Sequence, residues 1–547
     1  MIKPLGIQKK LNIDDLIIDE SQFSGEEDIP LDVVFVGAGP AGLSGAIKLA
    51  QLSKKENLNL EIGVLEKASE LGGHSLSGAV INPKAFLELF NEKKIEDFPF
   101  KNKITKEKVL FLTKNNSFRL PTPPTMHNKG NYTASLCEIV KFLGKEAENL
   151  GINIFTGFPA KNLLLNGNKI TGVRTTPSGL NRDSSKGPQH TASVNIKAKI
   201  TVLCEGSRGP LAQSYIQKES LTGRSQQIYA LGVKELWQVP KNLDHIVHTL
   251  AWPLDSSDFG GSWIYPMGEN KVSIGLVIGL DYKKHSVDVH TKLQHLKQHP
   301  VFKKILKGGK ILEWGAKTIP EGGWDALPTK LYGDNILIAG DAAGFVNVPA
   351  LKGIHYSMYS GIFAAQSAFE ALKKEDCSKN QLSSYQEMIN NSFIKKDLTS
   401  VKEIRPSFKK GFIIGGIKAG LLSLKLNALV FKNPPVKEDA EEVKSSDSDP
   451  ETLPVNPDIN ILSKVDGVYL SGNKTRDDIP CHLNSEKDID KKTAEFYAAL
   501  CPAGVYEWQD NKLVINSPNC IDCKATDVLG PRWEAREGGS GPNYKEM

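Results

Sequence analysis

The sequence predicts a mixed α/β and α+β chain of several domains, and three observations carry that prediction. A strand, a glycine turn, a helix and a second strand follow one another over residues 31–67 (LDVVFV, GAGPAG, LSGAIKLAQL, LEIGVLEK). A further strand ends in a second glycine-rich turn some 300 residues on, in DNILIAGDAAGF at 334–345, with a small-residue helix behind it. Between them, about 150–330, lie β-rich runs such as KITGVRTT, IKAKITVLCEG and KVSIGLVIGL. A chain of 547 residues exceeds what one hydrophobic core supports. Lys and Arg number 68 against 63 Asp and Glu, a net +5, so nothing in the charge favours nucleic acid. No stretch reaches the roughly 18 uncharged apolar residues of a spanning helix. The first residues, MIKPLGIQKK, lack a signal-peptide core and an Arg/Ser-rich transit pattern, which predicts a cytoplasmic, bacterial protein.

The first turn carries Gly37, Gly39 and Gly42 at G-x-G-x-x-G spacing. The first glycine permits the turn, the second lets backbone approach a pyrophosphate, and the third lets helix and strand pack. The helix N-terminus then faces the phosphates. A single match to this pattern is weak, but a strand precedes it and a helix follows, as the fold requires. Glu66 ends the second strand, where an acid would bind ribose hydroxyls, although it lies farther from Gly37 than the usual ~20 residues. The second turn, Gly340 to Gly344, selects FAD over NAD. Asp341 at a distant strand end suits a ribityl chain, and Cys204-Glu205-Gly206 is a third strand-end turn of the same architecture.

With GHSLSGAV at 73–80 added, the chain resembles the electron transfer flavoprotein–ubiquinone oxidoreductase family. HNKGNY, GVKELWQVP, WPLDSSDFGGSWIY, WGAKTIPEGG, FVNVPALKGIHYSMYSGIFAAQS, CPAGVYEW and GPNYKEM occur in that family's order and cover nearly the whole chain. The resemblance implies a Rossmann-like FAD-binding domain (30–225 and 326–408), an inserted β-rich quinone and membrane-contact domain (226–325 and 409–432), and a ferredoxin-like domain (459–547). Residues 433–458, rich in Pro, Ser and acids, read as a flexible linker. Electrons would arrive singly from electron transfer flavoprotein and leave in pairs to quinone, with no side-chain acid, base or nucleophile needed for those steps. The resemblance adds Ala41, His74, Ser77, Gly78, Gly206, Gly340 and Gly353 to the FAD site, and places quinone beside Gly260 and Gly261. It implies a protein peripheral to the cytoplasmic face of a bacterial inner membrane, or to the matrix face of the mitochondrial one. The alternative is a geranylgeranyl-reductase-like flavoenzyme that reduces an isoprenoid lipid.

Lys410, Lys418, Lys425 and Lys432 recur every seven or eight positions in an otherwise apolar stretch. A cationic stripe of that kind suits a monotopic helix at a membrane surface. Seven cysteines are present, four of them in the last 70 residues. Cys137, Cys204 and Cys377 read as structural. The family's cluster motif is met by Cys501, Cys520 and Cys523, but its next position is Thr526, whereas a 4Fe–4S cluster normally takes four thiolates. Three possibilities stand: a 4Fe–4S cluster completed by Thr526, Asp527, water or Cys481 (with His482 a weaker candidate); a 3Fe–4S cluster; or a site that has lost its cluster.

Overall fold

The computed structural model describes residues 10–23, 27–78, 80–423, 433–443, 450–455, 457–486 and 488–547. Its first layer is a nine-stranded sheet whose parallel core is built by the apolar runs seen in the sequence. Asp28–Val36 lies between Ile62–Glu66 and Asn195–Leu203, parallel to both. Asn153–Thr156 extends one side and Ile336–Ile338 the other. Strands buried on both faces must be apolar throughout, and Val33, Val34, Phe35 and Val64 are fully buried. The helices Pro40–Lys55 and Ile354–Lys373 cover this core and touch backbone to backbone. A Cβ on Gly361 would lie 2.0 Å from the Ala41 carbonyl, so that crossing admits glycine alone.

The second layer is a seven-stranded sheet in the order 310–320, 229–238, 271–279, 260–266, 246–251, 107–112, 117–120. It is antiparallel except where Ile246–Ala251 runs parallel to Glu107–Leu112. The helix Val289–Gln298 closes its back face. There Lys297 meets Glu235 at 3.0 Å with both side chains fully buried, and Gln294 and the Trp237 indole also donate to Glu235.

Residues 460–547 form a small unit of short helices and hairpins wedged between the two sheets. The helix Lys491–Leu500, the hairpin Tyr506–Gln509 with Lys512–Ile515, and the pair Leu483–Asn484 with Arg532–Trp533 surround the cysteines. Its last residue, Met547, is buried, and its carbonyl accepts from Leu136 N at 2.9 Å. The acidic segment expected to be a flexible linker is fixed where it is described. The Asp439 carboxylate accepts from Tyr229 N at 2.8 Å, and Val443 enters the core. Burying one carboxylate and two valines, Val436 and Val443, helps to anchor a segment whose composition is otherwise that of a solvated chain. Of the predicted lysine stripe, Lys425 and Lys432 lie outside the described residues.

Removing one member of a buried ion pair strands the other. Lys297→Met is therefore expected to cost roughly 3–5 kcal/mol in chemical denaturation, with part of that recovered by adding Glu235→Gln.

Candidate flavin, quinone and cluster sites

A cavity of about 730 Å³ opens where the parallel strands end, against the inner face of the second sheet. The glycine turn forms one end of it. Gly37 has φ +113°, and a Cβ there would sit 2.4 Å from the Cys204 carbonyl. Gly39 has nothing within 4 Å of its would-be Cβ, which leaves backbone free for a ligand to approach. A Cβ on Gly42 would meet the Gly37 carbonyl at 2.0 Å. Turn, approach and packing are thus separately accounted for, and Ala41 also lines the cavity. The 16-residue helix Pro40–Lys55 begins here with its free N–H groups facing the cavity.

Glu66 stands beside the turn, accepting from Ala68 N at 2.8 Å and Ala38 N at 3.2 Å. Desolvation raises its pKa above the usual carboxylate range, against those hydrogen bonds. Asp341 faces it across the cavity and accepts from Ser357 Oγ at 3.1 Å; desolvation pushes its pKa up to about 6. Gly353 caps the 20-residue helix Ile354–Lys373, whose N-terminus also looks into the cavity. His74, Ser77, Gly78, Gly206 and Gly340 all line the same space. Every residue predicted for the FAD site except Gly42, which packs behind the turn, is therefore a wall of one cavity. Two helix N-termini and a glycine turn suit a pyrophosphate, and acids at strand ends suit sugar or ribityl hydroxyls, so these residues fit FAD.

Gly260 and Gly261 line the far end of that cavity, with His248, Thr249 and Phe259 beside them. Gly261 lies on the strand Gly260–Pro266, where a Cβ would meet the Thr249 carbonyl at 2.8 Å. The helix Phe412–Ser423 crosses the mouth, contributing Gly416, Ala419 and Gly420. Ile414, Ile417 and Leu421, one face at helical spacing, are 51%, 63% and 37% exposed.

Cys501, Cys520 and Cys523 line a second, small cavity together with Tyr506, Thr526 and Trp533. Burial raises the pKa of all three thiols, that of Cys523 to about 12. Backbone N–H groups nonetheless converge on the sulfurs: those of Ala503 and Val505 on Cys501, of Asp522 on Cys520, and of Ala525 on Cys523. That donor set favours thiolates, which burial alone would forbid, and so fits an iron–sulfur cluster.

Of the other predicted ligands, Thr526 lines the cavity, its hydroxyl 3.2 Å from the Tyr506 hydroxyl. Asp527 turns aside. Despite the cost of burial, Arg208 at 2.7 Å and Arg532 at 3.3 Å hold its carboxyl below the usual range. Cys481 is exposed, its thiol 3.5 Å from the Leu483 carbonyl. Cys137 and Cys204 are buried and Cys377 half-buried, and none of them lines this cavity.

Sequence reasoning missed the wall between the two cavities. Lys524 and Trp533 line both. Asp522, set between two of the cysteines, accepts from Lys67 at 2.5 Å, from Arg536 at 2.8 Å and from the Trp533 indole at 2.9 Å. Lys67 and Lys317 reach it from the flavin side, the latter bonding its carbonyl at 3.1 Å. Only the adjacency of Lys67 to Glu66, and of Asp522 to the cysteines, hinted at this.

Three family models match the chain. A ubiquinone-binding domain of electron transfer flavoprotein–ubiquinone oxidoreductase matches 229–319, the 4Fe–4S domain of the same enzyme matches 460–545, and an NAD(P)-binding Rossmann-like domain matches 36–89. The mitochondrial electron transfer flavoprotein–ubiquinone oxidoreductase of Arabidopsis thaliana is 37% identical over 95% of this chain and 85% of its own length. The human protein is 35% identical over 94% and 89%. The chain belongs to the electron transfer flavoprotein–ubiquinone oxidoreductase family. It is accordingly an oxidoreductase that passes electrons from electron transfer flavoprotein to quinone, with FAD and an iron–sulfur cluster as cofactors. The relatives are named as mitochondrial, which agrees with the second of the two predicted locations. A solved geranylgeranyl bacteriochlorophyll reductase-like protein from Thermoplasma acidophilum shares the fold, with TM-score 0.55 over 73% of this chain and 96% of that one. At 19% identity that likeness is one of fold alone. Among the described residues no helix is long and apolar enough to cross a membrane.

Gly37→Val is expected to purify without flavin colour, because its side chain would overlap the Cys204 carbonyl. The absorbance ratio of flavin to protein measures this. Asp341 makes the cofactor-free protein pH-sensitive. Its folded pKa exceeds the ordinary 3.8, so the fold holds the extra proton between about 4 and 6. Stability at this site is fully present below 3.8 and falls as pH rises towards 6. Thermal melting across that range should show the slope, and Asp341→Asn should reduce it, leaving the part due to Glu66 and other buried carboxylates.

Proposed function

We propose that quinone enters from a membrane surface past the helix Phe412–Ser423 and is reduced against Gly260 and Gly261, on the near side of the flavin site. The observation that carries this is the continuity of one cavity from the glycine turn, through the glycine pair, to the small-residue face of that helix. Bound FAD supplies a carrier that can hold one or two electrons, which matches single-electron delivery to two-electron reduction. The chain's own residues do the positioning. Gly37, Gly39 and the helix start at Pro40 hold the phosphates; Glu66 holds the ribose; Asp341 and the helix start at Gly353 address the ribityl and ring end. Gly260 and Gly261 leave room for a planar ring to lie against the strand, where main-chain polar groups can bond its oxygens.

The apolar face of Ile414, Ile417 and Leu421 has no cover among the described residues and lies beside the mouth. An apolar face of this kind suits the boundary between headgroups and acyl chains, with Lys418 on the same helix near anionic lipid. This supports peripheral attachment, on the matrix side of the mitochondrial inner membrane if the relatives' setting carries over.

Reduced electron transfer flavoprotein and a soluble ubiquinone analogue provide the test. Gly261→Val should keep its FAD while kcat/KM for the quinone falls roughly tenfold or more, because a ring displaced by about 1 Å loses its productive placement. Unchanged quinone kinetics would place the quinone elsewhere. The double variant Ile414→Glu, Ile417→Glu should lose sedimentation with vesicles of phosphatidylcholine and an anionic phospholipid, while keeping activity with the soluble analogue. Undiminished sedimentation would rule out this helix as the anchor.

A further inference from the structure

We propose that the C-terminal site holds its iron–sulfur cluster on three protein thiolates only, with a fourth corner that faces Thr526 and carries an exchangeable iron. This rests on the three-cysteine cavity being the cluster site. Each of the three sulfurs is already provided with backbone N–H donors, so three corners are built. The fourth is not. At the position completing the motif, the Thr526 hydroxyl is spent on Tyr506 at 3.2 Å, and a hydroxyl binds iron strongly only after losing a proton it holds tightly.

The neighbouring groups that could replace it are either committed elsewhere or absent from the wall of this cavity. Withdrawing Asp527 would strand Arg208 and Arg532, both almost wholly buried, and break the bond from Trp533 N at 2.9 Å. Cys481 is exposed and absent from the cavity wall, although its neighbour Leu483 is part of that wall. His482 is buried with no hydrogen-bond partner for either ring nitrogen, and burial keeps it neutral. One nitrogen of its ring lies within 4.8 Å of both the Cys520 sulfur and the Asp522 carboxylate, Nε2 being 4.0 Å from the latter. It too is absent from the wall of the cavity that the three thiols share.

An iron held by cluster sulfides and one small external ligand is the first to leave. On oxidation a 4Fe–4S core of charge 2+ becomes a 3Fe–4S core of charge 1+, releasing one Fe2+ and giving one electron to the oxidant. Supplying Fe2+ and one electron from a reductant reverses the step. The chemistry at the corner is that of a divalent cation site opening on Thr526 and Tyr506.

The full-length protein, reconstituted anaerobically, is treated with ferricyanide and assayed for iron, sulfide and low-temperature EPR. The wild type should fall from about four irons to about three with its sulfide retained, gain a signal in the oxidised state, and recover its fourth iron with Fe2+ and dithionite. Thr526→Cys should keep four irons through the same treatment. Cys481→Ser and His482→Gln should behave as the wild type does. Retention of four irons by the wild type overturns the proposal, as does a changed response in either of those two variants. A wild type that binds no cluster while Thr526→Cys assembles one overturns it as well. If neither binds iron, the cavity is not a cluster site and the proposal falls with that premise, while FAD content and quinone reduction, measured on the same samples, report separately on the flavin side.

Discussion

The buried carboxylate of Asp522 holds the two halves of the electron path in register. It belongs to the loop that carries Cys520 and Cys523, yet its partners come from both sides. Lys67 follows the last residue of a flavin-sheet strand, and Arg536 and Trp533 belong to the tail unit. Burial opposes its charge, but Arg536 and Lys67 hold the carboxyl well below its ordinary range. A buried charge so placed can move only with its partners, since any one of them leaving exposes the others to the full cost of desolvation. The spacing between cysteine loop and flavin turn therefore follows from hydrogen-bond geometry rather than from apolar contact, which would tolerate sliding.

The same network sets the electrostatics of the flavin cavity. Lys317 and Lys524 are brought to its wall by their bonds to the Asp522 and Arg208 carbonyls. Desolvation lowers their pKa values to about 8 and about 7, so each is held charged with difficulty. A ligand bearing negative charge relieves that difficulty, and a dinucleotide brings two phosphates. Lys352, at the other end and lowered to about 7 by the same cause, extends the pattern towards the glycine pair. The cavity is thus prepared for an anion that gains further charge when reduced, while Glu66 and Asp341 are left to address hydroxyls.

What was legible in the sequence was local. The glycine turn could be read because turn, strand and helix are contiguous, and the structure needs each glycine for the reason its position suggests. The cysteines could be read because their spacing is short. Lys67, Lys317 and Asp522 could not, since they meet across 455 and 205 positions and each alone is an ordinary surface residue type. The acidic segment after the amphipathic helix misled for a related cause. Composition reports the many solvated residues, whereas a few long-range contacts, of Asp439 with Tyr229 N, Val436 with Ser225 and Gln226, and Glu451 with Lys292, place the segment. Asp527 looked like a ligand by adjacency and is instead the counter-ion of two arginines.

The contrast between the two cavities follows from what each must pass. A quinone has to enter and leave, and the proposed end of the large cavity suits that, being lined by Gly260 and Gly261 and reaching a helix with an exposed apolar face. Electrons need only a short, packed separation, and the cysteines sit in a much smaller, largely apolar cavity of their own. Trp533 and Lys524 are the common wall, one an aromatic plane and the other a cation lying over it at 4.4 Å. That shared wall makes the two cavities neighbours. With the sites placed as proposed, Trp533 and Lys524 are what stands between the traffic of molecules and the traffic of electrons.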